Sequence, residues 1–236
     1  MTLKACDRLI VALDLPAATD ARDVVAAVGS AASFYKIGYQ LIPVGGLDLA
    51  RELTASGRKV FLDFKFHDIG ATVERGTASV ARLGADFLTV HAEPDVLKGA
   101  VAGRAGDERL KILGVTVLTS LTQASLDESG ISMRLDDLVL KRAEFCAKAG
   151  VDGVVASAQE SPAIRARFGT DLMIVTPGVR PEGASADDQA RIVTPADAIR
   201  NGADYLVVGR PIVQAHDRRG AASAIVEQIE AATAQR

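Results

Sequence analysis

Short apolar runs alternate with longer helical stretches along the whole chain, and this alternation constrains the fold more than any other feature. Eight runs have the length of strands, and they cover residues 8–14, 34–38, 59–65, 86–92, 111–120, 153–158, 172–179 and 204–210. Near-continuous apolar strands joined by helical crossovers are typical of a parallel sheet whose faces are covered. Eight repeats in 236 residues therefore predict an α/β fold, a closed (β/α)8 TIM barrel formed as a single domain by residues 1–236.

The stretches between the runs give further detail. Several of them end in glycine, including residues 71–84 and 135–150, as a left-handed helix cap requires. The weakest of the predicted crossovers is residues 93–109, because its glycines weaken a helix. An open doubly wound sheet is the alternative architecture, but "DLPAAT" at residues 14–19 stands where that fold would carry a GxGxxG turn.

Composition excludes several classes of protein. A formal net charge of −3 argues against a nucleic-acid surface, although it leaves room for a small anion in a locally basic pocket. Cys6 and Cys146 lie far apart without metal-ligand spacing, so neither a disulfide framework nor a zinc site is predicted. The first apolar run is too short for a membrane span, and Asp14 interrupts it where a signal peptide would carry small residues. We therefore expect a cytoplasmic protein without membrane or nucleic-acid partners.

Polar residues collect at the carboxyl ends of the runs. In a barrel these ends meet at one rim, which is the face that carries active sites. Polar residues that merely mark the end of a strand would explain one or two cases, but not all eight. The residues are Asp14, Lys36, Asp63 with Lys65, His91, Thr119 with Ser120, Ser157, Thr176 and Arg210.

The third run carries the densest group of charges, in "LDFKFHDIG" at residues 62–70. Side chains alternate along a strand, so Asp63 and Lys65 are expected to point the same way and share one site. Asp68 follows in the turn and could belong to this pocket or to that of a neighbouring subunit. Lys36 would add a second ammonium, and the carboxylates would favour the charged form of both lysines. A purely structural ion-pair network is the alternative interpretation.

At this point the sequence resembles a known family. "DFKFHDIGATV" at residues 63–73 is similar to the DxKxxDI signature of the orotidine 5′-monophosphate decarboxylases, especially the bacterial ones. Further segments resemble that family in order and spacing: "VALD" (11–14), "YKIGY" (35–39), "VTVLTS" (115–120), "GVVASAQE" (153–160), "VTPGVRPEG" (175–183), "DDQARIVTP" (187–195) and "VVGRPI" (207–212). The resemblance covers essentially the whole chain.

The resemblance implies a reaction and the residues that perform it. Family members convert orotidine 5′-monophosphate to UMP and CO₂, the last step of pyrimidine nucleotide synthesis, without a metal or other cofactor. Lys65 is expected to stabilise and protonate the C6 carbanion, and Asp63 to lie against the departing carboxylate. Lys36 and Asp68 would complete an alternating array of lysines and aspartates.

The resemblance also implies how substrate and partner bind. Asp68 and Thr72 would reach into the active site of a second subunit, which predicts a homodimer with active sites at the interface. Asp14 would contact the ribose, and Thr119 and Ser120 the pyrimidine. Phosphate is expected to bind at the last rim segments, where a planar guanidinium fits phosphate oxygens and a glycine leaves its backbone N–H accessible. The phosphate ligands and the residues of a lid after the seventh strand are Arg180, Gln189, Gly209 and Arg210.

One departure from the family pattern keeps alternatives open. Gly70 stands where the family usually has proline, and glycine is common near this position in magnesium-dependent sugar-phosphate decarboxylases and hexulose-phosphate synthases of the same suprafamily. In those enzymes the second strand ends in an acidic metal ligand, whereas Lys36 stands here. The other alternative is a catalytically silent barrel that binds nucleotides. Of the three histidines, His91 is expected to line the barrel near Lys65 without a catalytic role, and His67 and His216 to be exposed or structural.

Overall fold

Each of the eight apolar runs forms a strand of one closed parallel barrel. The computed structural model describes residues 3–181 and 193–235. The strands are β1 Leu9–Ala12, β2 Phe34–Gly38, β3 Lys59–Phe66, β4 Phe87–His91, β5 Lys111–Val115, β6 Gly153–Val155, β7 Met173–Thr176 and β8 Tyr205–Val208. Neighbouring strands follow in chain order, and β8 also pairs with β1 through Leu9 and Leu206. This closure confirms the predicted (β/α)8 barrel and excludes the open sheet.

Helices surround the strands and bury their apolar faces against the outside of the barrel. Gly84 and Gly150 end two of them in the left-handed conformation, with φ of 73° and 75°, as predicted. No helix in residues 3–181 and 193–235 is both long and apolar enough to cross a membrane. The helices are α1 Ala5–Arg8, α2 Ala18–Val28, α3 Gly46–Ala55, α4 Gly70–Leu83, α5 Pro94–Arg104, α6 Gln123–Glu128, α7 Leu135–Ala149, α8 Ser161–Phe168, α9 Pro195–Arg200, α10 Arg210–Val213 and α11 Arg218–Thr233.

The glycines of α5 have a packing role that the sequence pattern did not indicate. A Cβ atom on Gly99 would collide with the carbonyl oxygen of Gly70, and one on Gly103 with that of Glu74. The two glycines lie one turn apart on α5, so they let the backbones of α4 and α5 approach closely along one seam. The stretch that looked least helical is therefore a full helix whose glycines are required by its neighbour.

The longest helix, α11, was not among the predicted crossovers. Its buried residues are Ala222, Ile225, Ile229 and Ala232, which recur at helical spacing. Asp217 caps its first turn by accepting a hydrogen bond from Gly220 N at 2.9 Å. Both signals are present in the sequence, so this helix could have been predicted.

The inside of the barrel is layered. Four aromatic side chains form its floor: Phe34, Phe61, Phe87 and Tyr205, with ring centroids 4.8–6.1 Å apart in edge-to-face contacts. Because side chains alternate along a strand, the residue two positions later on each strand points into the next layer. That layer contains Lys36, Asp63 and Thr89, so the floor is followed directly by charged and polar groups.

Candidate active site

A cavity of about 590 Å³ opens at the carboxyl ends of the strands. This is the rim at which the sequence placed the site. Most of the predicted site residues line this cavity, although they come from different strands and loops. They are Asp14, Lys36, Asp63, Lys65, Thr119, Ser120, Arg180, Gly209 and Arg210.

An ion-pair array occupies one side of this cavity. Lys36 Nζ lies 2.8 Å from Asp14 Oδ1 and 3.3 Å from Asp63 Oδ2. Lys65 Nζ lies 2.7 Å from the other oxygen of Asp63. The carboxylate of Asp63 therefore stands between two ammonium groups. The side chains of Asp63 and Lys36 are 14% and 9% exposed, whereas that of Asp14 is 50% exposed and borders the open part of the cavity.

The array holds its buried members in their charged forms. For Asp63, burial favours the neutral acid, but Lys36, Lys65 and the hydrogen bonds outweigh burial and lower the pKa of the carboxyl. For Lys36, burial favours the neutral amine, but Asp63 and Asp14 outweigh it and raise the pKa of the ammonium. Lys36 and Asp63 therefore form a fixed pair of opposite charges in the wall of the cavity.

A distortion of β3 presents Lys65 to this array. The pairing with β4 shifts between Leu62 and Phe66, and Lys65 has a φ of 44°, in the left-handed region that residues with a side chain seldom adopt. Such strain persists where surrounding contacts hold it, and it concentrates at functional sites. Here the backbone N–H of Lys65 donates to Thr89 Oγ1 at 3.0 Å, and Tyr39 Oη donates to the carbonyl of Phe64 at 2.6 Å.

Three residues of this arrangement were missed by sequence reasoning. Thr89 is fully buried, and its hydroxyl donates to Asp63 Oδ1 at 2.9 Å while it accepts from Lys65 N. A Cβ on Gly38 would lie 3.1 Å from Lys36 Nζ and 3.2 Å from Asp14 Oδ1, so glycine leaves room for that pair. Tyr39 places its ring 5.6 Å below Lys65 Nζ. Only Thr89 carried a signal, as a hydroxyl inside an apolar strand.

Asp68 and Thr72 do not line the main cavity. They line a second cavity of about 380 Å³ that adjoins the first at Lys65. The carboxylate of Asp68 is exposed and accepts a hydrogen bond from Ile69 N at 2.7 Å. Within one chain, therefore, Asp68 stands beside the Lys65 region without entering the array.

The same cavity is also lined by two arginines, Arg180 and Arg210. Arg180 is 6% exposed, and its Nη1 donates to the carbonyl of Val179 at 3.1 Å. Arg210 begins α10 immediately after Gly209, and both line the cavity. Thr119 and Ser120 lie on the turn after β5 that borders the same space. Gln189 and most of the predicted lid lie outside the described residues.

The remaining candidate residues are structural in appearance. Cys6 and Cys146 are free thiols, and burial raises the pKa of Cys146 to about 12, so this thiol stays protonated. Among the described residues, no group of three or more His, Cys, Asp or Glu side chains is arranged to hold a metal ion.

Gly70, the departure from the family pattern, is the first residue of α4; a Cβ there would lie 3.1 Å from the carbonyl oxygen of Asp95. Gly70 thus packs closely against the first turn of α5.

Comparisons with known proteins agree with this geometry. A sequence model described as the Orotidine 5'-phosphate decarboxylase / HUMPS family matches residues 7–225. The orotidine 5'-phosphate decarboxylase of Rhodopseudomonas palustris (strain BisA53) is 53% identical over 231 residues, which cover 98% of each chain. That of Methylorubrum extorquens (strain PA1) is 54% identical over 224 residues, covering 95% of this chain and 96% of the relative.

Solved structures give the same result. The crystal structure of orotidine 5'-phosphate decarboxylase from Lactobacillus acidophilus matches with a TM-score of 0.83 at 35% identity. The match covers 94% of this chain and 99% of that one. Sequence and fold thus agree over nearly the full length of both proteins, and the resemblance predicted from the motifs is confirmed. The chain belongs to the orotidine 5′-phosphate decarboxylase family.

Proposed function

We propose that this barrel decarboxylates orotidine 5′-monophosphate through a C6 carbanion that Lys65 stabilises and protonates. Decarboxylation of this nucleotide to UMP is the activity that family membership assigns to the chain. One observation carries the proposed mechanism: Lys65 Nζ lies 2.7 Å from the buried carboxylate of Asp63 and lines a cavity that Arg180 and Arg210 also line. One cavity thus combines a proton donor, Lys65, with its carboxylate partner, Asp63, and with arginines that can bind an anion.

The chemistry follows from the array. The bond between C6 and the carboxylate breaks, CO₂ leaves, and the electron pair stays on C6. A preorganised ammonium beside C6 stabilises this charge and then transfers its proton to the carbon; water restores the proton to Lys65. Asp63 would face the substrate carboxylate, and two such charges about 4 Å apart repel by roughly 4 kcal/mol at an effective dielectric constant of about 20. That repulsion disappears as neutral CO₂ forms, which favours the transition state.

The rest of the cavity supports substrate binding. Arg180 and Arg210 supply cations for the phosphate, and Gly209 supplies an accessible backbone between β8 and α10. Asp14, whose side chain is half exposed, would accept a hydrogen bond from a ribose hydroxyl. Thr119 and Ser120 would bond the pyrimidine, and Gln189 would bridge pyrimidine and phosphate.

A second copy of the chain would complete the site. Asp68 and Thr72 line the adjoining cavity, which shares Lys65 with the main one. Ile69, between them, is 71% exposed, and Tyr39, which lines the same cavity, is 62% exposed. Exposed apolar groups beside a functional carboxylate support a homodimer in which each Asp68 enters the other subunit's array.

Three broader proposals accompany this function. We propose that residues 1–236 form one domain, because the barrel closes only when β8 pairs with β1. A cytoplasmic location fits the pyrimidine pathway of the relatives. The proposed reaction uses no cofactor, because Lys65 itself supplies both the electrostatic field and the proton.

The test is turnover in excess EDTA, followed by loss of substrate absorbance, with wild type and Lys65→Ala compared. Loss of the proton donor should lower kcat by about 10²–10⁴-fold or more. Lys98→Ala is the matched control, because Lys98 is an exposed lysine that forms a surface ion pair with Asp95 at 3.6 Å. Its kcat should equal that of wild type.

Each alternative has its own outcome. Wild-type turnover only after addition of magnesium would point to the metal-dependent branch of the family. Binding of UMP without any turnover would point to a silent nucleotide-binding barrel. A Lys65→Ala variant with normal kcat would remove Lys65 from the mechanism while leaving the activity in place.

A further inference from the structure

The turn of residues 67–69 carries Asp68 and is fixed by a pair of contacts outside the ion array. The His67 ring stacks on the His91 ring, with centroids 4.6 Å apart and planes inclined by 27°. On the same ring, Nε2 lies 3.2 Å from Glu93 Oε2. His91 ends β4, and Glu93 precedes the first residue of α5. One side chain of the turn is thus held by two residues of the adjacent β4–α5 connection.

A second anchor lies just beyond Asp68. The carbonyl oxygen of Gly70 packs against Gly99 of α5 so closely that a Cβ there would collide with it. Asp68 therefore lies between a side-chain anchor at His67 and a backbone anchor at Gly70, and both anchors rest on α5 or the connection that leads into it. The carboxylate of Asp68 itself is bonded only locally in the described contacts, to Ile69 N.

Burial and the surrounding charges disfavour the protonated form of His91. Burial lowers the pKa of His91, and the neighbouring His67, Arg142 and Lys65 add to this effect against the opposing Glu93. His91 is therefore neutral at neutral pH, and a neutral ring can stack on His67 whether or not His67 is charged. The His67–Glu93 pair is about half exposed, so it contributes little to folding stability. Its effect is on where the turn lies.

We propose that His67 is a positioning residue that, held by His91 and Glu93, places Asp68 for the active site of the second subunit. This inference rests on the proposed function, in which Asp68 acts in the partner's array. The inference has a specific consequence. Substitution of His67 should impair the site of the other chain, which receives Asp68 from the substituted chain, and should leave the site that contains Lys65 of the substituted chain unaffected.

Heterodimers purified through two different affinity tags test this consequence. In a heterodimer of His67→Ala and Lys65→Ala chains, one site combines the intact Lys65 of the first chain with the Asp68 of the second, whose His67 is intact. The homodimer of His67→Ala should lose up to about 100-fold in kcat/KM, as misplacement by about 1 Å can cause. The heterodimer should recover about half of the wild-type activity, because one of its two sites is fully intact.

Controls separate the possible failures. His216→Ala removes an exposed histidine elsewhere and should leave kcat/KM unchanged. A heterodimer of Lys65→Ala with Asp68→Asn should also recover about half of the activity if Asp68 acts across the interface. If it stays inactive while wild type turns over, the contribution in trans is wrong and the inference with it, but the proposed activity stands. Wild type without turnover would instead remove the proposed function.

Two results would overturn the positioning role itself. One is a His67→Ala homodimer with wild-type kcat/KM. The other is a His67→Ala/Lys65→Ala heterodimer that keeps the defect although the Asp68 control recovers, because His67 would then act on its own chain's site. Should His67→Ala fail to dimerise, His67→Phe keeps an aromatic stack on His91 and removes the contact with Glu93. The same heterodimer comparison then applies, with the same expected recovery.

Discussion

At the scale of single residues, the site depends on charges that burial alone would neutralise. Asp63 keeps its charge because Lys36, Lys65 and Thr89 surround its two oxygens. Buried ion pairs of this kind add little net stability, since desolvation offsets much of the attraction. In the proposed mechanism their value is preorganisation, because the field at the substrate's C6 would exist before the reaction begins. The neutral residues that hold these charges in place are therefore as important to the site as the charges themselves.

Thr89→Val tests this supporting role. The change keeps the shape of the side chain but leaves Lys65 N without an acceptor and Asp63 with one donor fewer. We expect a loss of about 1–3 kcal/mol in the free energy of unfolding, measured by urea titration, and a lower kcat. Thr77→Val is the matched control, because the Thr77 hydroxyl is also buried but has no hydrogen-bond partner among the described residues. Equal stability changes in the two variants would contradict the assigned role of Thr89.

Lys36→Met tests the coupling between the charges. In wild type the lowered pKa of Asp63 contributes stability that is present above the carboxyl's ordinary pKa of 3.8 and is lost as pH falls through the lowered value. Without Lys36, burial is less well opposed, so the pKa of Asp63 should rise and the loss should begin at higher pH. Urea titrations between about pH 3 and pH 7 should show this upward shift. Lys98→Met, at an exposed position, should keep the wild-type profile; an unshifted Lys36→Met profile would contradict the coupling.

At the scale of elements, the sequence predicts much of what positions the site. All eight strands follow from apolar runs, and the period of two in the third run predicts that Asp63 and Lys65 share one site, as the 2.7 Å contact between them shows. The irregular pairing of β3 with β4 could not be predicted, because it involves contacts with Thr89 of the next strand and with Tyr39, which directly follows β2. For the same reason, the glycines of α5 looked like helix breakers until their contact with α4 was known. The residue pattern of one segment reveals its periodicity, whereas these features depend on contacts with another segment of the chain.

Gly99→Ala tests the seam between α4 and α5. The new Cβ would press on the Gly70 carbonyl at the start of α4, two residues after Asp68. Overpacking of this kind should cost about 1–3 kcal/mol, although alanine is the better helix former. Thermal or urea unfolding measures the loss, and kcat should fall because Asp68 lies just before α4 and Thr72 lies in its first turn. Ala102→Ser, at an exposed position of the same helix, should change neither quantity; a more stable Gly99→Ala protein would show that the seam can relax.

At the scale of the whole molecule, the residues that pack the barrel interior and the residues of the candidate site lie in successive layers along the barrel axis. The aromatic floor fills the inside of the barrel, the charged layer lies directly above it, and two arginines line the same cavity as the charged layer. Asp68 is the one predicted member of the array that the single chain leaves outside the main cavity. This arrangement makes sense if assembly is part of catalysis, because a monomer would then hold an incomplete array.

Ile69→Glu tests whether assembly and activity are linked. Ile69 is 71% exposed in the single chain and stands next to Asp68, so it should be buried when two copies meet. A glutamate there would lose its hydration at the interface and weaken association by several kcal/mol. We expect analytical ultracentrifugation to show a monomer, with far-UV circular dichroism unchanged and kcat/KM reduced about as far as in Asp68→Asn. Ala224→Glu places the same charge on the exposed face of α11 and should leave both mass and activity unchanged. A fully active Ile69→Glu monomer would show that one chain holds a complete site, and Asp68 would then have to act within its own subunit or not at all.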